Sequence, residues 1–436
     1  MIAAGPSEAP EEIVMPRLHR VLSLALACLA VAAGPSAAAA APLLKRGVNF
    51  EIWQTWTGRD AFLAPEFDRN NFPDWMGRVD DRQLARLKAE GFDFVRLGID
   101  AAALLWAGDD GAGPLIDRIV AATERLQALG FTVIVDLHLL PADEERPDGL
   151  EDVLGTDDHA PLLWDRYLGL VARVAARLAA LPPDLTLLEP INEPNQDWSS
   201  HFRMTDRWPD QLAALAAAAR AAAPTLTLVL TGGKSGGIDG LVRLDPTPFA
   251  GDANIVWTFH YYEPMAVSHA GRPWLDDPGR YLTHLPYPAA LVGDAAGKRL
   301  VREARARIAK GVADPKRRKE LDAAVGEALD DYRATDAGPA TIAADFQRVS
   351  DWAAGNGIPA GRVLLGEFGI YQNGADPAAR IALIEATRAA AEQEGFAWAV
   401  YDAGLTAAGE GFSVVGDNRT LALEPKVKAA LGLAGK

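Results

Sequence analysis

From residue 43 onward the chain alternates short apolar runs with longer stretches in which apolar positions recur every three to four residues. The short runs read as buried strands and the longer ones as amphipathic helices, because each period gathers apolar side chains on a common face. Eight candidate strands emerge, at 47–50, 94–99, 132–138, 185–192, 226–231, 255–261, 363–368 and 397–401. Helical patterns lie between them at 82–90, 115–129, 164–181, 211–223 and 378–394. Gly91, Gly130 and Gly395 end three of these, as expected where a chain leaves a helix in a left-handed conformation. Strands that alternate with helices build a parallel sheet, and eight such units predict a closed (β/α)8 TIM barrel. The connection after the sixth strand, 264–362, is too long for a simple crossover. Within it Leu300, Val301, Ala304, Ile308 and Val312 fall at helical spacing, so it predicts a helical insertion over the barrel mouth.

The first forty-one residues follow another pattern. Arg17 and Arg20 precede an apolar run at 21–33, and small residues at 36–41 offer A-x-A cleavage sites. Those are the three regions of a secretory signal peptide, with translation starting at Met15. The run is shorter than the roughly 20 apolar residues of a membrane span, and no later segment is longer. The expected organisation is a removable segment 1–41 and one catalytic domain, 42–436, in a secreted or periplasmic protein. Cys28, the sole cysteine, would leave with the segment, so no disulfide is expected. Ala25 and Leu26 before it, and apolar residues after it, fit a lipid-anchored cysteine poorly.

Hydrophobic residues at 49% and charged residues at 23% describe an ordinary folded chain. The net charge of −16 opposes binding to nucleic acid or anionic lipid and favours neutral or cationic partners. The basic run at 316–319 reads as a solvated helix face rather than an anion site.

In a barrel, chemistry collects at the C-terminal ends of the strands. Strand 4 closes on Asn192, Glu193 and Pro194, and strand 7 on Gly366, Glu367 and Phe368. A carboxylate is costly to bury without a partner or a task, so Glu193 and Glu367 stand out, with a pair of satisfied ion pairs as the competing explanation. Other strand ends supply Arg96, His138, His260, Tyr262 and Trp398. Proton donor, nucleophile, groups that set their pKa values apart and an aromatic floor are what cleavage of a glycosidic bond requires. Two other signals fail. Gly233, Lys234 and Ser235 lack the upstream glycine of a phosphate loop, since position 228 is Leu228, and His260 with Glu263 falls at a strand end rather than on a metal-binding helix. Neither a metal nor a cofactor is expected.

The ordered set Arg96, His138, Asn192–Glu193–Pro194, His260, Tyr262, Gly366-Glu367-Phe368-Gly369 and Trp398 resembles glycoside hydrolase family 5, the cellulase family. The resemblance spans Gly47 to Trp398. It implies a retaining β-glycosidase with Glu193 as acid/base, Glu367 as nucleophile, and Asn192 bonding the sugar 2-hydroxyl. It further implies that Arg96 and Tyr262 keep Glu367 ionised, that His138 and His260 line the cleft, and that Trp398 is the sugar platform. Trp53, Trp56, Trp106, Trp198 and Trp274, in predicted mouth loops, are candidate stacking surfaces for an oligosaccharide or polysaccharide, while Trp164 and Trp352 are expected in the core. An exported, monomeric, endo-acting β-glucanase is the expectation. A mannanase, an exo-β-1,3-glucanase, an exopolysaccharide hydrolase and a non-catalytic carbohydrate-binding barrel stay open, because fold does not set specificity.

Overall fold

The computed structural model describes residues 44–50, 58–67, 79–156, 160–195, 207–273, 275, 277–403 and 411–433. The N-terminal segment read as a signal peptide lies outside the described residues, as do Trp53, Trp56, Trp198 and Trp274. All eight strands form: β1 (Arg46–Phe50), β2 (Phe94–Asp100), β3 (Thr132–His138), β4 (Thr186–Glu189), β5 (Thr227–Thr231), β6 (Ile255–His260), β7 (Val363–Phe368) and β8 (Ala397–Val400). They close in sequence order into one parallel barrel, with β8 paired back onto β1.

The longer helices between them are α1 (Asp81–Ala89), α2 (Ala101–Ala128), α3 (Trp164–Leu178), α4 (Trp208–Ala222), α5 (Ile238–Arg243), α6 (Asp294–Gly311), α7 (Pro315–Ala334), α8 (Pro339–Gly355) and α9 (Pro377–Glu394). Gly91, Gly130 and Gly395 take positive φ at helix ends, the conformation for which glycine has no side-chain penalty. α2 begins well before the predicted 115 and is interrupted at Gly108, where φ is +70°. After β8 a small hairpin, β9 (Val415–Asp417) and β10 (Ala422–Leu423), leads to α10 (Pro425–Ala430).

Each barrel strand is buried on both faces, which explains its unbroken apolar character. The inward set is small: Phe94, Ile134, Leu187, Val229, Val256, Leu364, Ala397 and Ala399 fill the barrel floor. The alternate residues, among them Val95, Val135, Leu188, Trp257 and Trp398, pack outward under the helices. Two residues above the floor the inward positions turn polar, giving Arg96, Asp136, Glu189 and Thr258, with Asn49 on β1 and His260 two residues beyond Thr258. The period of two thus stacks a polar layer on an apolar one.

In the long β6–β7 connection only part is extra. α8 packs between α5 and α9 and serves as the barrel's own helix, with Trp352 buried and bonded through Nε1 to the Leu244 carbonyl at 3.0 Å. α6 and α7 pair through buried Leu300, Ala304, Ile308, Leu321, Val325 and Leu329 and rest on the chain at 279–291. The run at 316–319 opens α7 on its solvent side, where Arg317 pairs with Asp277 at 2.8 Å. No helix among the described residues is long and apolar enough to cross a membrane.

Candidate active site

The polar layer is organised by one guanidinium. Arg96 on β2 is buried, and its Nε and Nη2 bond both oxygens of Glu189 at 2.7 and 2.9 Å. Nη2 also reaches Asn192 Oδ1 at 2.8 Å and Asp136 at 3.1 Å, while Nη1 holds Asn49 at 3.0 Å and Glu367 Oε1 at 2.5 Å. Burial disfavours the cation, but Asp136, Glu189 and Glu367 outweigh it and keep Arg96 charged. Such a hub satisfies carboxylates that would be prohibitive to bury alone.

Glu367 reaches the cleft through an irregularity. Phe259 pairs with Leu365, yet the next residue, His260, pairs with Glu367, so Gly366 is skipped and Glu367 is turned inward out of alternation. Gly366 leaves no room for a side chain, since a Cβ there would lie 2.5 Å from Thr258 Oγ1 and 3.1 Å from His260 Nε2. The Asn49 amide donates to the Gly366 carbonyl at 2.9 Å and pins the bulge. Tyr262 donates its hydroxyl to Glu367 Oε2 at 2.8 Å. Burial alone would raise the Glu367 pKa, but its neighbours, His260 and Arg96 foremost and the Tyr262 hydroxyl with them, hold it at about 2. Glu367 is therefore an ionised carboxylate with both oxygens directed by donors.

Glu193 follows β4 in the bend after Pro190, whose carbonyl accepts from buried Tyr167 at 2.8 Å. Its side chain is 34% exposed, against 5% for Glu367. His260 spans the two: Nδ1 lies 2.7 Å from Glu193 Oε1 and 3.6 Å from Glu367 Oε2. Burial would lower the His260 pKa, but the facing carboxylates raise it. One oxygen from each glutamate and a ring nitrogen of His260 lie within 4.8 Å of one another. A divalent cation would find these donors already engaged and a guanidinium against Glu367, so the trio suits proton transfer better than metal binding.

His138 sits behind Asn192, with Nδ1 2.8 Å from Asp136 and Nε2 3.0 Å from the Asn192 amide nitrogen. Burial works against the imidazolium while Asp136 and Glu367 draw its pKa upward, and the contact to Asn192 opposes them. The hydrogen bonds require the neutral ring. Arg96 can only donate, so Asn192 turns its oxygen to Arg96 and its NH2 to His138 Nε2, which must accept. In this arrangement the ring carries its proton on Nδ1, and Asp136, His138, Asn192 and Arg96 form one oriented chain.

The structure thus brings together Arg96, His138, Asn192, Glu193, His260, Tyr262 and Glu367. It removes Trp398 from the site. Ala397 and Ala399 face the barrel interior, so Trp398 between them points outward, fully buried between Phe92 at 6.4 Å and Phe368 at 5.9 Å. Period-two alternation makes it a core residue rather than a sugar platform. Tyr401, two residues beyond Ala399, is the half-buried aromatic at that strand's mouth, 5.5 Å from Phe412. Trp106 is also a packing residue, 8% exposed and bonded to the Pro147 carbonyl at 3.2 Å. Sequence reasoning overlooked Asn49, Asp136, Glu189 and Tyr401. Asp136 and Glu189 carried the signal already applied to Glu193 and Glu367, a carboxylate inside an apolar strand.

The family model for Cellulase (glycosyl hydrolase family 5) matches residues 55–406. The chain belongs to glycosyl hydrolase family 5. This glycosyl hydrolase resembles an endoglucanase structure at a TM-score of 0.58 and 21% identity, covering 89% of this chain and 97% of that one. The cellulose synthase subunit Z of Clostridioides difficile superposes at 0.57 with 19% identity, over 89% and 99% of the two chains. Cel5A of Thermotoga maritima in complex with mannotriose superposes at 0.57 with 19% identity, over 89% and 97%. No curated protein sequence matches the chain.

Proposed function

We propose that this family 5 hydrolase is an exported, endo-acting β-glucanase that works by double displacement with retention. The observation that carries the mechanism is the spacing of Glu193 and Glu367, whose facing oxygens lie within 4.8 Å. Retaining sites hold their carboxyl groups about 5 to 5.5 Å apart, whereas inverting sites need about 6.5 to 9.5 Å to admit a water. Glu367, held ionised, attacks the anomeric carbon while Glu193 passes its proton to the leaving oxygen. Glu193 then takes a proton from water, which attacks the same carbon and releases Glu367. His260 steadies Glu193 through both steps, Asn192 offers the hydroxyl contact beside the reacting carbon, and Tyr401 and Phe412 supply an aromatic edge. Export rests on the signal-peptide pattern ahead of residue 42, and N-terminal sequencing of the mature protein tests it.

Azide tests the division of labour. With an aryl β-cellobioside, Glu367→Ala plus azide should give the α-glycosyl azide, and Glu193→Ala plus azide the β-glycosyl azide. Products with the opposite stereochemistry would reverse the assignment. A second reading keeps the chemistry and changes the sugar. Thermotoga Cel5A structures contain cellobiose in one case and mannotriose in another, which supports weighing a mannan beside a glucan for this chain. Reducing-sugar release from a panel of β-glucans and β-mannans separates the two readings.

A further inference from the structure

Beside the cleft, the chain after β6 and the α6 helix border an open cavity of about 490 Å³. Arg272, Arg280 and Arg307 border it, and no Asp or Glu does among the described residues that line it. That is an unusual concentration in a chain of net charge −16. Each guanidinium is held in place. Arg272 lies 4.0 Å over the Tyr371 ring. Arg280 donates to the Tyr281 hydroxyl at 2.9 Å and pairs with Asp277 at 2.7 Å, a carboxylate shared with Arg317. Arg307 donates to the Tyr281 carbonyl at 3.2 Å and reaches Glu303 only at 3.9 Å. On the cavity wall the Thr283 hydroxyl is buried without a hydrogen-bond partner.

A packed row of rings runs from the cavity wall to the reaction centre. Tyr371 forms its wall and packs on Phe412 at 5.4 Å, Phe412 packs on Tyr262 at 5.7 Å, and Tyr262 holds Glu367. Tyr371 is fixed to the same frame by its amide, which donates to the Ser268 carbonyl at 2.7 Å, while the Ser268 hydroxyl donates to the Tyr262 carbonyl.

A neutral sugar presents hydroxyls that both donate and accept, and its sites mix amides, carboxylates and aromatics. Guanidinium groups only donate, and their planar fork matches a carboxylate. We infer that this cavity is a subsite for a sugar residue carrying a carboxylate, so that the β-glycan cut between Glu193 and Glu367 is acidic. The inference rests on the glycosidase reading for where the chain runs, and on the three arginines for its charge. It also gives an acidic enzyme a local attraction for a polymer that its overall field repels.

The test compares cellohexaose with the same oligomer bearing carboxylates at C6, bound to the full chain with Glu367→Gln to prevent turnover. At low salt the carboxylated oligomer should bind at least about tenfold more tightly, and Arg307→Gln or Arg272→Gln should each reduce that preference by about tenfold while thermal melts confirm folding. Equal affinity for the two oligomers overturns the inference, as does a preference unchanged in both variants. Displacement by inorganic phosphate as readily as by potassium glucuronate would make this a general anion site and overturns it too. The two readings fail separately. Tight binding of the carboxylated oligomer by a wild-type protein that hydrolyses no β-glycan would sink the hydrolase reading and leave the subsite standing. Hydrolysis with equal affinities does the reverse.

Discussion

Arg96 commits one whole edge of its guanidinium to Glu189, at 2.7 and 2.9 Å, in a pair with both side chains 1% exposed. Burial raises the Glu189 pKa, and Arg96 is the foremost influence opposing that rise. Glu189 is thereby the anchor that aims the opposite edge of Arg96 at Glu367. Breaking a buried pair leaves an uncompensated charge, so Glu189→Ala should lower stability by about 3 to 5 kcal/mol. Thermal unfolding measures it, and an unchanged Tm would mean that Asp136 and Glu367 suffice to hold Arg96.

Glu367 is held at about 2, well below its ordinary 4.5, by cations and a hydroxyl that outweigh its burial. Removing Arg96 by Arg96→Met, or the Tyr262 hydroxyl by Tyr262→Phe, leaves burial less opposed and raises that pKa. On the proposed mechanism the ionised form attacks, so the acid limb of kcat/KM should move to higher pH, by at least about one unit for Arg96→Met and less for Tyr262→Phe. The sign for stability is the same. A depressed carboxylate stabilises the fold above the unfolded pKa, and this is lost as pH falls from about 4.5 towards 2. Acid limbs that coincide with wild type would assign both residues a purely structural role.

His138 touches the site through Asn192, whose amide it receives at 3.0 Å. It is a positioning residue, and its effect should vanish once Asn192 is gone. His138→Ala and Asn192→Ala should each lower kcat on an aryl β-cellobioside by about tenfold or more, and the double variant should be no slower than Asn192→Ala. Multiplying losses would show that His138 acts on substrate or nucleophile by another route.

Trp398 and Tyr401 should fail in opposite ways. Trp398→Ala empties a site between Phe92 and Phe368 and should cost about 3 to 5 kcal/mol of stability with KM little changed. Tyr401→Ala should leave Tm nearly unaltered and raise KM for oligosaccharides several-fold through lost stacking. Denaturant melts alongside KM measurements decide it, and the reverse pattern would restore Trp398 as the platform.

Local periodicity carried most of the architecture. Strands such as Val363–Phe368 and Thr132–His138 are legible because a strand buried on both faces must be continuously apolar, and helix ends because Gly91, Gly130 and Gly395 are needed at positive φ. Glu193 and Glu367 were legible for the complementary reason, that a carboxylate ending an apolar strand demands a purpose. Facing was not legible past the end of a regular strand. Alternation sends Trp398 outward and the bulge at Gly366 turns Glu367 inward, and a bulge is set by pairing with β6, a strand remote in sequence. Nor could the chain order reveal that Arg96, Asp136, Glu189 and Glu367 share one guanidinium. Closing the barrel places those four strands around a single axis, and the cost of burying charge then selects the contacts among them.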